Sequence, residues 1–370
     1  MKIAIISPFL TDSGGAEKVT GFHYKELSKH HEVTVITSAY DPKVYPELFE
    51  NAKIIQLMPL LKGKPLFKTI VNLLLCFVKG PMLKGYDLVI AETPNSHILA
   101  SKANNYGIPI IWYSHHPNKV AYGYENKNLI ITLLNKMTIK FDRSAVKKIN
   151  LIFANSNFMK SVFNEIYPEN IRRKIRVLYP PTDLRGYSYS KSKGYFLCVS
   201  RLEKVKRIGL LIEVFNETGN NLFIVGSGAE EAELKRAAKP NIKFLGRVSE
   251  AELKKLYSEC EAAIQLNTRE DFGLVPVEAG ASGKPIIAVA EGGFLETVTR
   301  KAGVLIKEPY KDNLIKVINN WREFKFKPAD CKDNAKRFSL ENHMKSLKKV
   351  IKFFEANKRN INAINKYCSN

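Results

Sequence analysis

Apolar residues fall in short runs rich in Ile, Val and Leu, each closed by a turn signal and followed by a helical pattern. Strands buried on both faces of a parallel sheet read this way, because helices cover the sheet on either side. In the first half the runs are Lys2–Pro8, Glu32–Thr37, Asp87–Ala91, Pro109–Tyr113, Leu151–Ala154 and Arg176–Leu178. In the second half they are Tyr195–Val199, Asn221–Val225, Ile242–Leu245, Ala262–Leu266, Pro285–Val289 and Gly303–Ile306. The pattern predicts an α/β protein of two doubly wound, Rossmann-like domains, with six strands in each.

Length agrees with two domains, since 370 residues exceed what one hydrophobic core usually supports. Between the two sets of strands lies Tyr179-Pro180-Pro181-Thr182-Asp183, then a Tyr- and Ser-rich stretch from Tyr187 to Gly194 with no periodic pattern. The expected boundaries are a first domain over 1–182, a linker over 183–194 and a second domain over 195–338. Residues 339–370 then form a helix from Ser339 to about Ala356 and a polar tail from Lys358 to Asn370. Two such domains leave a cleft between the carboxyl ends of their sheets, where open parallel sheets place ligands. Chemistry is expected on loops that follow strands.

Composition changes this picture in one respect. Hydrophobic residues at 45% and charged residues at 25% are ordinary for a globular protein and exclude disorder or a collagen-like repeat. Charge is not ordinary: 58 Lys and Arg against 36 Asp and Glu leave +22, which attracts phosphates, anionic lipid or nucleic acid. The five cysteines, Cys76, Cys198, Cys260, Cys331 and Cys368, show neither zinc spacing nor a disulfide framework, so a reducing, cytoplasmic location is expected. The apolar start at Met1 to Pro8 is too short for a signal peptide. The most membrane-like segment, Leu66–Val78, stands among Lys62, Lys64, Lys68, Lys79 and Lys84. Its apolar part falls short of the roughly 20 residues that span a bilayer, so it either lies on an anionic membrane surface or forms a core helix with a basic outer side.

Several post-strand loops carry candidate chemistry. Thr11-Asp12-Ser13-Gly14-Gly15-Ala16-Glu17-Lys18 brings Gly14 and Gly15 to the start of a predicted helix. Glycines there let backbone N–H groups approach an anionic or polar ligand, although a plain tight turn uses the same residues. Ser200-Arg201-Leu202-Glu203-Lys204-Val205-Lys206-Arg207 follows the first strand of the second half. Its Arg201 can bind a diphosphate with paired hydrogen bonds and Lys206 with a point charge, while the competing reading is a solvated basic face. Gly226-Ser227-Gly228 offers another close backbone approach, and Phe244-Leu245-Gly246-Arg247-Val248 ends a strand where a base can stack or bond to backbone. The most specific string runs from Glu270-Asp271-Phe272-Gly273-Leu274 through Glu278 to Ala281-Ser282-Gly283-Lys284-Pro285. Phe272, Gly273 and Leu274 bring N–H groups to a helix start, and Glu278, two turns on, is costly unless donors such as ribose hydroxyls bond to it, while the competing reading is a structural glutamate that caps or pairs locally.

Taken together, these residues resemble the retaining glycosyltransferases of family 4, which have the two-domain GT-B fold. The features that carry the resemblance are Glu270 and Glu278 with seven residues between them, Phe272-Gly273-Leu274, Ala281-Ser282-Gly283-Lys284-Pro285, and Arg201 with Lys206. It extends from Gly14-Gly15 to the tail helix, which in the family crosses back to pack on the first domain. The resemblance implies that Arg201 and Lys206 hold a nucleotide diphosphate, Glu278 the ribose and Glu270 the hydroxyls of the transferred sugar. Backbone at Phe272, Gly273 and Leu274 would then contact phosphate and sugar, and backbone near Val248 the base. Trp112-Tyr113-Ser114-His115-His116-Pro117 is similar to a stretch of some mannosyltransferases of the family and places His115 on their active-site histidine. Ser114 and His116 depart from that subgroup's cysteine and threonine. Asp271, Gly280 and Ser282 also differ from common family residues.

The implied reaction is retaining transfer of a hexose, mannose or glucose, from a nucleoside diphosphate sugar to a glycan or lipid-linked acceptor. Fixed cations and N–H dipoles stabilise the departing diphosphate, and no metal or other cofactor is expected. A sugar-nucleotide epimerase or a phosphorylase of the same architecture is the rival among enzymes. A nucleic-acid or membrane-binding protein is the rival class, suggested only by the charge, and no recognised nucleic-acid module accompanies it.

Overall fold

A computed structural model of the protein describes residues 1–11, 14–57, 80–118, 121–122, 129–358 and 360–369. Asp12, Ser13 and the membrane-like segment with Lys62, Lys64, Lys68 and Lys79 lie outside the described residues. Two compact units emerge: Met1–Pro181 together with His343–Asn370, and Thr182–Asn342.

The first unit contains β1 (Lys2–Ile6), β2 (Phe9–Leu10), β3 (Glu32–Thr37), β4 (Ala39–Tyr40), β5 (Lys53–Gln56), β6 (Leu88–Glu92), β7 (Ile110–Ser114), β8 (Leu151–Ala154) and β9 (Ile175–Val177). Seven of these form a parallel sheet in the order β5-β3-β1-β6-β7-β8-β9, while β2 and β4 pair separately. The pattern predicts six strands here; the seventh, β5, has only two apolar residues between Lys53 and Gln56 and lies half-exposed at the sheet edge beside β3. Such an edge strand carries little of the apolar signal by which strands are recognised. Pro8, Pro109 and Pro285 stand just outside their strands, consistent with proline's missing ladder donor.

The second unit holds β10 (Tyr195–Val199), β11 (Asn221–Val225), β12 (Ile242–Gly246), β13 (Ala263–Gln265), β14 (Ile286–Val289) and β15 (Gly303–Ile306). They pair in parallel in the order β12-β11-β10-β13-β14-β15. Each sheet therefore reverses its winding once, between β1 and β6 and between β10 and β13. Open parallel sheets leave a crevice at the carboxyl side of such a reversal, because the loops on either side diverge to opposite faces.

The stretch 183–194, expected as a linker, is packed into the second unit. Its backbone bonds to the end of the helix Glu250–Glu259, with Ser190 N–H donating to the Ser258 carbonyl at 3.2 Å and Lys193 N–H to that of Glu259 at 2.8 Å. The buried Lys284 ammonium donates to the Ser190 carbonyl at 2.8 Å and lies 4.7 Å over the Tyr189 ring. Backbone pairing and one buried lysine order a stretch whose sequence has no periodicity. The chain returns to the first unit at His343, four residues beyond the boundary expected at 338/339.

The returning helix, Leu340–Ala356, buries His343, Met344, Leu347, Val350, Ile351 and Phe354, a single face at three- and four-residue spacing. His343 is its polar anchor. His343 Nδ1 lies 2.6 Å from the Tyr179 carbonyl and so donates to it, which makes Nε2 of this neutral ring an acceptor. The donor is His23 Nε2 at 2.6 Å, and His23 Nδ1 meets Glu92 Oε1 at 2.5 Å with one proton serving that contact. Thr20 donates to the other oxygen of Glu92. All four side chains are buried, so this column of Thr20, Glu92, His23 and His343 satisfies polar groups that would otherwise be costly. Further along, Asn150 bonds to Asn365 at 2.7 Å and the Arg176 guanidinium lies 4.6 Å over the Tyr367 ring. Among the described residues, no helix is long and apolar enough to cross a membrane.

Burial, with the charges of His23 and His115, holds the His343 imidazole well below its usual range, outweighing its bond to Tyr179. The folded state therefore binds fewer protons than the unfolded chain as pH falls below 6.5, and stability is lost on the acid side by on the order of 1 kcal/mol per pH unit. Urea unfolding followed by Trp112 fluorescence in a Trp321→Phe background should show a midpoint falling from pH 7.5 to pH 5.5. His343→Gln should flatten that fall; an unchanged slope would contradict the role given to His343.

Candidate active site

The crevice of the second sheet is built by the loops that leave β10 and β13. Gln265, the last residue of β13, donates its side-chain amide to the Val199 carbonyl at the end of β10, at 2.8 Å, tying the two strand ends together. The β10 loop is then held by the Gly226-Ser227-Gly228 turn, with Leu202 N–H donating to the Ser227 carbonyl at 3.1 Å. A Cβ on Gly226, at φ +128°, would stand 1.9 Å from the Ser200 carbonyl oxygen, and one on Gly228 would stand 2.3 Å from that of Leu202. The close approach expected of these glycines is thus made to the protein's own loop.

Lys204–Lys206 forms one tight turn, after which Arg207 adopts a left-handed φ of +55° and starts the helix Ile208–Thr218. Across the crevice, Arg269 at φ +52° precedes Glu270. These two strained residues flank the principal contact of the site, in which Lys206 Nζ lies 3.1 Å from Glu270 Oε2. Both side chains are about four-fifths buried, at 19% and 24% exposure, and the Asn267 amide donates to the same oxygen. Arg201 is not part of this contact. Its guanidinium is 72% exposed and pairs with Glu203 Oε1 at 2.8 Å on its own loop, where surface pairs contribute little.

Two residues not expected from the sequence hold the Glu270 loop. Gly293 N–H donates to the Glu270 carbonyl at 2.7 Å, and a Cβ on Gly292 or Gly293 would come within 2.6 Å or 2.4 Å of the backbone of Glu270 or Phe272. The signal was available as a Gly-Gly pair after β14, but a loop glycine pair alone does not reveal which backbone it must touch. Phe272 is buried edge-on against Phe338, with ring centroids 5.2 Å apart. Gly273, at φ +93°, then caps the helix Leu274–Ala281 without a side-chain bond, leaving that helix start suited to an anion.

Glu278 on this helix has a protein donor of its own. Tyr257 Oη donates to its Oε2 at 2.7 Å from a fully buried ring on the helix Glu250–Glu259. Burial, then the Glu278 charge, pushes the Tyr257 phenol well above its usual range, so it remains a donor. Val248 lies between the end of β12 and this helix and packs on the unit's apolar cluster. Tyr257 escaped sequence reasoning because its spacing marks it only as a core residue.

In the first unit, Gly14 caps the helix Gly15–Leu27 without a side-chain bond, after the connection that runs from β1 through β2 at the reversal of that sheet. Tyr45 Oη donates to the Gly14 carbonyl at 3.2 Å. His115 follows β7; part of the residue is exposed, but Nε2 is buried without a hydrogen-bond partner. Its ring meets Tyr113 edge-on at 5.2 Å. Burial, then the charges of His116 and His23, pushes the His115 pKa down to about 3, so the ring is a neutral donor and acceptor. His116 instead bonds through Nδ1 to the Pro117 carbonyl at 2.7 Å, which separates the roles of these adjacent histidines. Glu92, paired with Tyr113 across β6 and β7, is the polar residue missed here. It ends an apolar run and resembles the first residue of a loop.

Comparison with known proteins matches this architecture along nearly the whole chain. Residues 13–185 match Glycosyltransferase Family 4, and residues 184–338 match Glycosyl transferases group 1. Alpha-1,3/1,6-mannosyltransferase ALG2 of Dictyostelium discoideum is 24% identical, over 95% of this chain and 98% of its own length. Among solved structures, Anabaena Alr3699/HepE in complex with UDP has a TM-score of 0.75 at 18% identity, covering 95% of this chain and 100% of that one. Sucrose-phosphate synthase from Thermosynechococcus elongatus has a TM-score of 0.74 at 16% identity, covering 96% and 99%. With a glycosyltransferase match on each half and two reversing parallel sheets of the Rossmann type, the chain belongs to the family 4 glycosyltransferases of the GT-B fold.

Proposed function

We propose that the protein moves a hexose, mannose or glucose, from a nucleoside diphosphate sugar to a glycan or lipid-linked acceptor with retention at the anomeric carbon. The observation that carries this reading is the Lys206–Glu270 contact at the reversal of the second sheet, on the loop that runs into the uncapped helix at Gly273. A lysine ammonium has three donors, so Lys206 can keep its bond to Glu270 while bonding to a diphosphate oxygen. Glu270 then offers its other acceptor positions to hydroxyls of the sugar. Arg201, exposed on a flexible side chain, turns from Glu203 to the diphosphate, a better partner for a bidentate guanidinium.

The anomeric C–O bond breaks toward the diphosphate, and charge accumulates on the departing oxygens. Lys206, Arg201 and N–H groups near Gly273 stabilise that charge, so the reaction as proposed requires no metal or other cofactor. The acceptor oxygen forms the new bond from the same face, and its proton passes to the leaving diphosphate oxygen. Glu278 takes the ribose, and backbone near Val248 the base. His115, neutral at working pH, offers hydrogen bonds to a sugar hydroxyl without altering the charge at the reaction centre. The ALG2 name supports mannose as cargo, whereas UDP bound to Alr3699/HepE supports a uridine donor. GDP-mannose and UDP-glucose are the two donors to test first.

Thermal shift against a panel of sugar nucleotides should single out one donor, because a ligand that binds only the folded state raises its melting temperature. With that donor, Lys206→Ala and Glu270→Ala should each lower turnover by roughly 100-fold or more, the loss typical of removing a transition-state donor. Near-wild-type transfer in both folded variants would overturn the site. His115→Phe should cost roughly tenfold, the worth of about one hydrogen bond, while leaving the acidic limb of the pH profile between pH 5 and 8 in place. If that limb disappears with the ring, His115 is not the neutral group assigned here.

A further inference from the structure

Glu278 is held by a residue that the proposed reaction does not otherwise use. Tyr257 has no exposed surface and sits in an apolar cluster with Leu197, Cys260 and Ala263, where phenylalanine would pack as well. A buried hydroxyl costs about 1–3 kcal/mol unless it is bonded. Its 2.7 Å bond to Glu278 Oε2 satisfies it and ties a core residue to a half-buried carboxylate. Tyr187, from the stretch packed into this unit, has its ring 6.3 Å from Tyr257. Burial, then the Glu278 charge, also raises its phenol, so it too stays neutral beside Tyr257.

We propose that Tyr257 is a positioning residue that makes nucleotide binding ribose-specific, by anchoring Glu278 so that its carboxylate meets the ribose hydroxyls in one orientation. This rests on the assignment of Glu278 to the ribose. A glutamate without an anchor keeps about 1–2 kcal/mol of rotamer freedom and turns to water when its partner is missing. An anchored carboxylate cannot turn away. A nucleotide lacking a ribose hydroxyl then denies a partly desolvated carboxylate the bond that the ribose supplies, and sites built to bond a hydroxyl reject analogues without it far more strongly than apolar pockets reject a change of size. The anchor thus converts a hydrogen bond into discrimination.

The test is calorimetric titration of the full chain with GDP, UDP and their 2′-deoxy and 3′-deoxy counterparts. The wild type should prefer one ribonucleotide over at least one of its deoxy forms by roughly 10- to 100-fold, the worth of one bond to a charged acceptor. In Tyr257→Phe that preference should fall below about threefold, because the carboxylate regains water when unanchored. Glu278→Ala should abolish it, and adding Tyr257→Phe to Glu278→Ala should cost no further affinity, as expected of residues that act as one unit. Both ligands report on the same folded fraction, so a loss of stability in Tyr257→Phe does not change the ratio. If Tyr257→Phe retains the wild-type preference, Tyr257 only supports the core and the proposal fails. If Glu278→Ala retains it, the assignment of Glu278 to the ribose fails first.

Discussion

The contact between Lys206 and Glu270 exists because the second sheet reverses its winding between β10 and β13. The residues are 64 positions apart, Lys206 at the end of a single tight turn and Glu270 on a loop. Adjacent parallel strands deliver both loops to the same end of the sheet, and Gln265 locks the strand ends together. Only a reversal leaves these loops side by side without a covering helix. A lysine and a glutamate in such a place are too buried to be solvated at no cost and too open to be core, so they remain available to a ligand.

That availability depends on glycines that bring backbone against backbone. Gly226 and Gly228 pin the Arg201 loop, and Gly292 and Gly293 pin the Glu270 loop. Any side chain at these four positions meets backbone within 2.6 Å, which no rotamer change relieves. The left-handed backbone at Arg207 and Arg269 is strain held beside the paired residues by these clamps. Clamped loops fix Lys206 and the N–H groups at the Gly273 helix start in place, whereas Arg201 remains free to turn on its exposed side chain.

The two units use charge differently. In the second, Arg201, Lys206, Glu270 and Glu278 keep partial contact with solvent. In the first, the Thr20, Glu92, His23 and His343 column is closed off from water and has its partners inside the protein. The depressed pKa values of His115 and His343 arise from that same removal of imidazoles from water. The net charge of +22 comes from basic residues spread along the whole sequence, so it marks an attraction to anions and says little about where the chemistry lies.

Strand identity was legible because it is local. Glu32–Thr37, Leu151–Ala154, Tyr195–Val199, Asn221–Val225 and Gly303–Ile306 run as the apolar pattern predicts, and the Glu270 to Pro285 string was enough to recognise the family. The half-exposed edge strand Lys53–Gln56 left too weak a pattern, and the ordered stretch 183–194 none, because its order comes from bonds to Ser258, Glu259 and Lys284. Partner choice was legible nowhere. That Lys206 meets Glu270, that Tyr257 anchors Glu278, and that His343 completes a column begun at Glu92 are decided by packing between separate segments, and Arg201, left out of those contacts, pairs with Glu203 on its own loop. Sequence determined which residues could do chemistry, through periodicity and residue type over a few positions. Tertiary structure alone decided which of them meet across segments, because a hydrogen bond between residues 21, 64 or 320 positions apart leaves no trace in the pattern around either one.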